Sequence, residues 1–169
     1  MQAYQDTITL CVTSGGGAYN QFLNNQINGQ WDGTPHATQG VDDGIVLLDE
    51  SHDEIENNVI QNTWDAGIES VGSLSDTLIA DNHFHNVQFA AVASYIDTSW
   101  QNNTVRGNRV DDSLYLLEVG FNGLLGYGVP IPTTVYFQNN QVIGNIFTNP
   151  TTPDDILIRY ERQTGECPV

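Results

Sequence analysis

The segment IENNVIQN, residues 55–62, places two apolar residues around an asparagine in the pattern apolar-x-x-Asn-x-apolar. The same pattern begins at residues 22, 55, 79, 105 and 137. Neighbouring copies are therefore 24 to 33 residues apart. Self-similarity at such a period, stretched by insertions, is typical of a solenoid in which every repeat forms one coil.

Each copy is followed by a short apolar segment that is rich in β-branched and aromatic residues. These segments are GIVLL (44–48), GIESV (67–71), AVASY (91–95), LYLLEV (114–119) and ILIRY (156–160). Such segments, bounded by Gly, Asn and Asp, are typical of strands, and no part of the sequence has a capped helical period. The sequence therefore predicts an all-β chain with two or three strands in each repeat.

The repeated asparagines have a structural interpretation. Coils that stack one strand spacing apart, about 4.8 Å, place equivalent residues directly above one another. Asparagine tolerates a left-handed backbone, and its amide can donate a hydrogen bond to the asparagine of the neighbouring coil. We therefore expect a ladder of structural rather than catalytic asparagines: Asn25, Asn58, Asn82, Asn108 and Asn140.

These repeats resemble those of the pectin lyase-like superfamily, whose coils carry N-x-I-x-N turns followed by G-I strands. The matching segments are NVIQN (58–62) with GI (67–68), and NHFHN (82–86) with AV (91–92). The resemblance covers roughly residues 20–160 and implies a right-handed, single-stranded parallel β-helix of about five or six coils. It implies little about activity, because the same repeat occurs in lyases, hydrolases, epimerases, phage spikes and adhesins.

Composition and charge limit the partners. The 169 residues are 39% hydrophobic and include 21 acidic residues against 4 arginines, which gives a formal net charge of −17. We expect one domain over residues 1–169, either complete or a fragment of a longer solenoid. Nucleic acid and anionic membrane surfaces are poor partners because a basic footprint is missing. Membrane insertion is not expected, because no run approaches about 20 apolar residues.

The two ends of the sequence carry further expectations. Residues 1–4 lack the basic start and apolar centre of a signal peptide, so the chain is either a mature form without its leader or cytoplasmic. Cys11 and Cys167 lie near opposite ends, which argues against pairing within one chain and leaves pairing between chains open. Open solenoid ends expose strand edges, so we expect caps or self-association there.

Three insertions break the coil period, at 28–43, 120–134 and 146–155. Binding sites are often built from such loops. The first contains Trp31, Asp32 and His36, an aromatic and polar mixture suited to stacking on a sugar. The second is apolar, and we expect it to cap or pack against the core, with contact to a partner subunit as the alternative.

A second candidate site follows from the alternation of side chains along strands. Positions beside the motif asparagines point outward and predict one face that contains Glu56, Asp81, His83, Arg106 and Arg109. The resemblance implies lyase chemistry on uronic acid polymers, in which an arginine could hold the substrate carboxylate and His83 could act as acid or base. The structural alternative is a set of ion pairs, Glu56 with Arg106 and Asp81 with either arginine.

Metal chemistry leaves only weak signals. The pair His83-x-His85 is followed at once by a turn, so no transition-metal site is predicted. Acidic turns at 42–43, 49–53 and 111–112 could bind Ca²⁺ weakly through oxygen, although such turns are more often simply solvated. No other cofactor is predicted.

The sequence thus favours a non-catalytic module with a structural or carbohydrate-binding role, placed outside the cell or at its surface. Polysaccharide is the expected ligand. The alternative is a polysaccharide lyase or a related uronan-acting enzyme. A glycosidase that uses two of Asp65, Glu69 and Asp81 is a further hypothesis, which depends on a carboxylate separation that the sequence does not encode.

Overall fold

A computed structural model describes residues 10–12, 17–31, 33, 42–121, 124–125, 129–130, 136–148 and 156–158. All the regular structure in these ranges is β-strand. None of the described residues forms a helix long and apolar enough to cross a membrane.

The strands are short because polar turns interrupt them every few residues. In chain order they are β1 (Leu10–Val12), β2 (Gln21–Leu23), β3 (Gln26–Asn28), β4 (Ile45–Ser51), β5 (Glu54–Glu56), β6 (Val59–Thr63), β7 (Ala66–Ser75), β8 (Leu78–Ala80), β9 (His83–Val87), β10 (Ala90–Gln101), β11 (Thr104–Arg106), β12 (Arg109–Asp111), β13 (Tyr115–Phe121), β14 (Leu124–Leu125), β15 (Val129–Pro130), β16 (Tyr136–Gln138), β17 (Gln141–Ile143), β18 (Ile146–Thr148) and β19 (Ile156–Ile158).

Successive coils add strands to three parallel sheets. The long sheet has the order β1-β4-β7-β10-β13-β19, with β16 also paired to β10. The second sheet is β2-β5-β8-β11-β17 and the third is β3-β6-β9-β12-β18. Because successive coils add parallel neighbours in chain order to these three sheets, the chain winds as a parallel β-helix, and parallel crossover connections are right-handed. This confirms the predicted fold, and the five strands of the second and third sheets correspond to five coils.

The core consists of apolar columns inside the coils. In the second sheet Ile55, Ile79 and Val105 are paired in register and are at most 1% exposed. Ile60 and Phe84 form the matching column in the third sheet. Full burial of one such side chain contributes about 1.5–3 kcal/mol. Stacked apolar side chains therefore hold neighbouring coils together.

An asparagine ladder fills the turn between the second and third sheets. Asn58 donates from both its backbone N and its Nδ2 to Oδ1 of Asn82, at 2.9 Å each. Its Nδ2 also donates to the carbonyl of Phe22 at 2.7 Å. The residue before each ladder asparagine has a positive φ, for example 56° at Asn57 and 64° at Gly107. The ladder members are Asn25, Asn58, Asn82, Asn108 and Asn145.

The placement of Asn140 in this ladder was wrong. Asn140 belongs to a second ladder at the turn between the long and second sheets, where its Oδ1 accepts from the backbone N of Asn103 at 2.9 Å. Thr77 precedes Asn103 in that column, and its backbone N donates to Oδ1 of Asn103 at 3.0 Å. Both turns carry the pattern apolar-x-x-Asn-x-apolar, five residues apart. The match at 137–142 is therefore the preceding turn of the same coil.

The insertions lie mostly outside the described residues. In the second one, β14 and β15 form an antiparallel pair. Cys167 also lies outside the described residues, so the pairing of the two cysteines stays a prediction.

Candidate functional site

A groove lies at the corner where the chain passes from the third sheet to the long sheet. Successive coils contribute Trp64 with Asp65, Gln88 with Phe89, and Leu114 to the lining of a cavity of about 160 Å³. The corner is tied together by backbone hydrogen bonds between coils, including the one from Phe89 N to the carbonyl of Asp65 at 3.1 Å. The sequence presents aromatic and apolar groups at one place in three consecutive coils.

Phe89 packs against a small apolar cluster at this corner. Ala66 and Ala90 are fully buried, although they lie outside the main core, and they pack with Phe89 and Tyr115. The rings of Phe89 and Tyr115 meet edge to face, with centroids 5.6 Å apart. Such ring contacts are favourable beyond the area that they bury. These contacts therefore fix the position of the Phe89 ring.

Three carboxylates adjoin this corner: Asp43, Asp65 and Glu69. One oxygen of each lies within 4.8 Å of the others. Asp43 precedes β4 and accepts a hydrogen bond from the backbone N of Ala66 at 3.0 Å. Glu69 points to the outside of β7, because its neighbours Ile68 and Ser70 are buried within the coil. We call these three side chains the outer cluster.

The three carboxyls of the outer cluster have different pKa values. Burial, and then the charges of Asp43 and Asp65, raise the pKa of Glu69 to about 9. Burial, and then the charge of Asp65, raises the pKa of Asp43 to about 7. For Asp65, burial together with the charge of Asp42 raises the pKa to about 6. At neutral pH Glu69 is therefore protonated and can donate a hydrogen bond, whereas Asp65 is mainly ionised and accepts one.

The outer cluster is also the place where a cation could bind. Its oxygens are close enough to surround a hard cation such as Ca²⁺, which takes oxygen ligands. Asp43 belongs to one of the acidic turns for which weak Ca²⁺ binding was expected. Binding would have to displace the proton of Glu69, so Ca²⁺ at this position stays a prediction that calcium titration at neutral and alkaline pH can test.

A second acidic group lies inside the coil. Glu50 is in register with Leu74, in a column that continues with Trp100, and it is 1% exposed. Asp53 is equally buried and stands in the column of the second ladder. Asn20 Nδ2 donates to one oxygen of each carboxylate at 3.1 Å. We call Glu50 and Asp53 the inner pair.

The inner pair is poorly satisfied. Oε1 of Glu50 and Oδ2 of Asp53 are buried with no hydrogen-bond partner. Burial raises the pKa of both carboxyls, and the charge of Asp53 raises that of Glu50 further. A Cβ added to Gly17 would clash with Oε2 of Glu50, so Gly17 leaves the space that this carboxyl occupies.

The residues of the predicted lyase face are divided between two sheets. On the second sheet and its turn, Arg106 lies 3.7 Å from Glu56 and 3.5 Å from Asp81. These are two of the ion pairs considered as the structural alternative. His83 and Arg109 lie on the third sheet, beyond the asparagine turn. The predicted single face is therefore interrupted, because each coil bends at this turn.

On the third sheet, His83 and Arg109 share one acceptor. His83 Nε2 lies 2.8 Å from Oδ2 of Asp111, and Arg109 Nε donates to the same oxygen at 2.9 Å. Thr148 Oγ1 also contacts Asp111. The hydrogen bonds from Arg109 and then Thr148 hold the pKa of Asp111 well below its usual range. Both predicted catalytic groups are thus engaged, and their catalytic role stays a prediction.

The other sequence candidates have mixed outcomes. Trp31 N donates to the carbonyl of Asn62 at 2.9 Å, which places Trp31 one coil before the Trp64 corner. Asp32 and His36 lie outside the described residues. Among the glycosidase candidates, Asp65 and Glu69 come together at the groove, whereas Asp81 lies in the turn after β8.

Sequence reasoning missed Trp64, Phe89 and the link between Asp43 and Glu69. A signal was present in VDDGI (41–45) and WDAGI (64–68), which share the residues before the same strand position. Their alignment places Asp42 beside Asp65, as the hydrogen bond from Asp65 N to the carbonyl of Asp42 shows at 2.8 Å.

Comparison with known proteins supports the architecture. A family model described as a right handed beta helix region matches residues 7–147. No curated protein and no solved structure matches the chain.

Proposed function

Because the chain belongs to the family of right-handed β-helix proteins, we propose that it is a carbohydrate-binding β-helix module whose ligand lies in the Trp64–Phe89 groove. The observation that carries this proposal is the groove itself, an apolar and aromatic surface from consecutive coils with carboxyl groups beside it. Ligand sites are typically concave and largely apolar, with a few polar groups that fix orientation.

The chemistry of the groove suits a sugar. Aromatic rings offer a large apolar face to the C–H side of a pyranose. The outer cluster offers acceptor oxygens to sugar hydroxyls, from ionised Asp65 and from Glu69, whose own proton is hydrogen-bonded to Asp43. The backbone of Trp31 lies one coil away, at the position equivalent to Trp64. The acidic surface favours solubility, in line with an extracellular or cell-surface location.

Binding can be tested by calorimetric titration of oligosaccharides into the protein and into Trp64→Ala. We expect the variant to bind at least about tenfold more weakly, which corresponds to about 1.4 kcal/mol. Tyr136→Ala is the matched control, since Tyr136 is an exposed aromatic residue of β16 and does not line the groove. Equal affinity of Trp64→Ala and the unmodified protein for every glycan would refute the proposal. An unchanged circular dichroism spectrum excludes misfolding as the cause of a loss.

Glycoside hydrolysis is a second candidate, favoured by the different pKa values of Glu69 and Asp65. A protonated and an ionised carboxyl on one surface can act as general acid and as base or nucleophile. Glu69 would protonate the glycosidic oxygen as its bond to the anomeric carbon breaks, and Asp65 would either attack that carbon or deprotonate the water that attacks it. Release of reducing ends that is lost in Glu69→Gln would establish this activity. Binding without release in the unmodified protein would leave a non-catalytic module.

A further inference from the structure

The charged residues that the structure describes around the groove are all acidic. Asp42, Asp43 and Asp65 gather where the chain enters the long sheet, and Glu69 follows on β7. The charges of neighbouring carboxylates raise the pKa values of Asp43, Asp65 and Glu69, which means that this corner disfavours further negative charge nearby. The protein carries a net charge of −17, so the wider surface adds to this field.

The described cations are elsewhere and already paired. Arg106 and Arg109 lie on the second and third sheets, with Arg106 beside two carboxylates and Arg109 bonded to Asp111. The remaining arginines, Arg159 and Arg162, follow β19 and lie outside the described residues. Recognition of a carboxylate in proteins usually relies on Arg, Lys or a bound cation. No Arg or Lys is among the described residues that line the groove, and a chelator removes any cation from the outer cluster.

We propose that the groove takes neutral glycans and excludes uronic acid polymers, a selectivity that rests on the proposed carbohydrate-binding function. A neutral sugar ring can cover Trp64 and Phe89 and exchange hydrogen bonds with the carboxyls through its hydroxyls. A uronate ring of the same shape would bring an anion next to ionised Asp65 with no counter-charge. Like charges held close together in a partly buried site repel strongly.

The groove also sets the direction of the ligand. Trp64, Phe89 and Leu114 come from three consecutive coils. Three coils span two strand spacings, roughly 10 Å along the solenoid axis. An extended neutral oligosaccharide therefore lies parallel to the axis and crosses the strands.

The test compares neutral and acidic oligosaccharides of matched length. The unmodified protein and Trp64→Ala are titrated at pH 7 with cello-, xylo- and manno-oligosaccharides, and with oligogalacturonate and oligomannuronate, in chelator and at two salt concentrations. We expect binding of at least one neutral series that depends on Trp64. Acidic oligosaccharides should bind at least about tenfold more weakly, and higher salt should narrow the difference because it screens charge.

Two variants isolate the charge. Asp65→Asn should reduce the ratio of neutral to acidic affinity, because it removes the ionised group from the groove. Asp76→Asn is the control, since Asp76 is exposed at another corner, 4.0 Å from His52. Trp64-dependent binding of an acidic series as tight as any neutral series would overturn the selectivity and leave carbohydrate binding intact. Absence of Trp64-dependent binding to every series would overturn both.

Discussion

The inner pair lies inside the coil, whereas the outer cluster lies beside the groove. Glu50 and Asp53 are buried inside the coil, and one oxygen of each has no hydrogen-bond partner among the described residues. Asp43, Asp65 and Glu69 are also partly buried, but they adjoin the apolar groove in which we propose that a ligand binds. Burial raises the pKa of both groups, so a raised pKa by itself does not mark a site. Access to a shaped surface separates the outer cluster from the inner pair.

The largest expected effect compares the two faces of one strand. Phe84 and His83 are neighbours on β9, and Phe84 is fully buried while His83 points outward. Phe84→Ala should lower the free energy of unfolding by about 3–5 kcal/mol because it leaves a cavity. His83→Ala should lower it by about 0–1 kcal/mol, as expected for an exposed ion pair. Urea unfolding of both variants measures the difference in the free energy of unfolding. Similar losses would contradict the assignment of Phe84 to the inner face and His83 to the outer face of β9.

An intermediate effect concerns the inner pair. Glu50→Gln should raise the free energy of unfolding at pH 7 by about 1–3 kcal/mol, because an ionisable group with an unsatisfied buried oxygen is replaced by a neutral one. The folded pKa of Glu50 is raised above its ordinary value of 4.5. Its favourable contribution is therefore complete below pH 4.5 and is lost as the pH rises through the folded value.

Urea unfolding at pH 4 and pH 7 measures this dependence. The unmodified protein should lose more stability than Glu50→Gln between these two pH values. The charged or titratable neighbours of the inner pair, Asp49 and His52, remain in both proteins and serve as the internal reference. Parallel pH profiles of the two proteins would contradict the raised pKa.

The smallest expected effect is at the predicted lyase residues. Arg109→Ala should leave the thermal midpoint nearly unchanged, since Arg109 is exposed and its pairing with Asp111 is screened by water. The unmodified protein should also release no unsaturated uronide from pectate or alginate, with or without Ca²⁺, as judged by ultraviolet absorbance. A rise in absorbance that Arg109→Ala abolishes would establish lyase chemistry and move the functional surface to the third sheet.

The repeat around residues 55–62 was enough to predict the fold, because its two apolar residues and one asparagine are required at equivalent points in every coil. The register of the last coil could not be predicted in the same way, since the same pattern occurs at two turns. The site was harder still. Asp43 and Glu69 come from successive coils and lie close together only in the folded solenoid. Their proximity depends on the length of the first insertion and not on a motif.

Charge states were also beyond the sequence. Glu50 and Glu69 are the same residue type, and each follows an apolar segment or lies within one. Their surroundings differ because one replaces an inward apolar residue and the other points outward beside two aspartates. Only the three-dimensional register distinguishes them.

The hydrogen bonds of the asparagine ladder between the second and third sheets have one direction along the solenoid axis. Each donor between ladder side chains points the same way, from Asn25 to Asn58, Asn82, Asn108 and Asn145 in turn. Aligned hydrogen bonds polarise one another, so the amides strengthen as a series. Loss of Asn82 would break a bond on either side and weaken those beyond it, whereas loss of Asn145 would shorten the series by one. A substitution at mid-length therefore removes more of the ladder than one at its end.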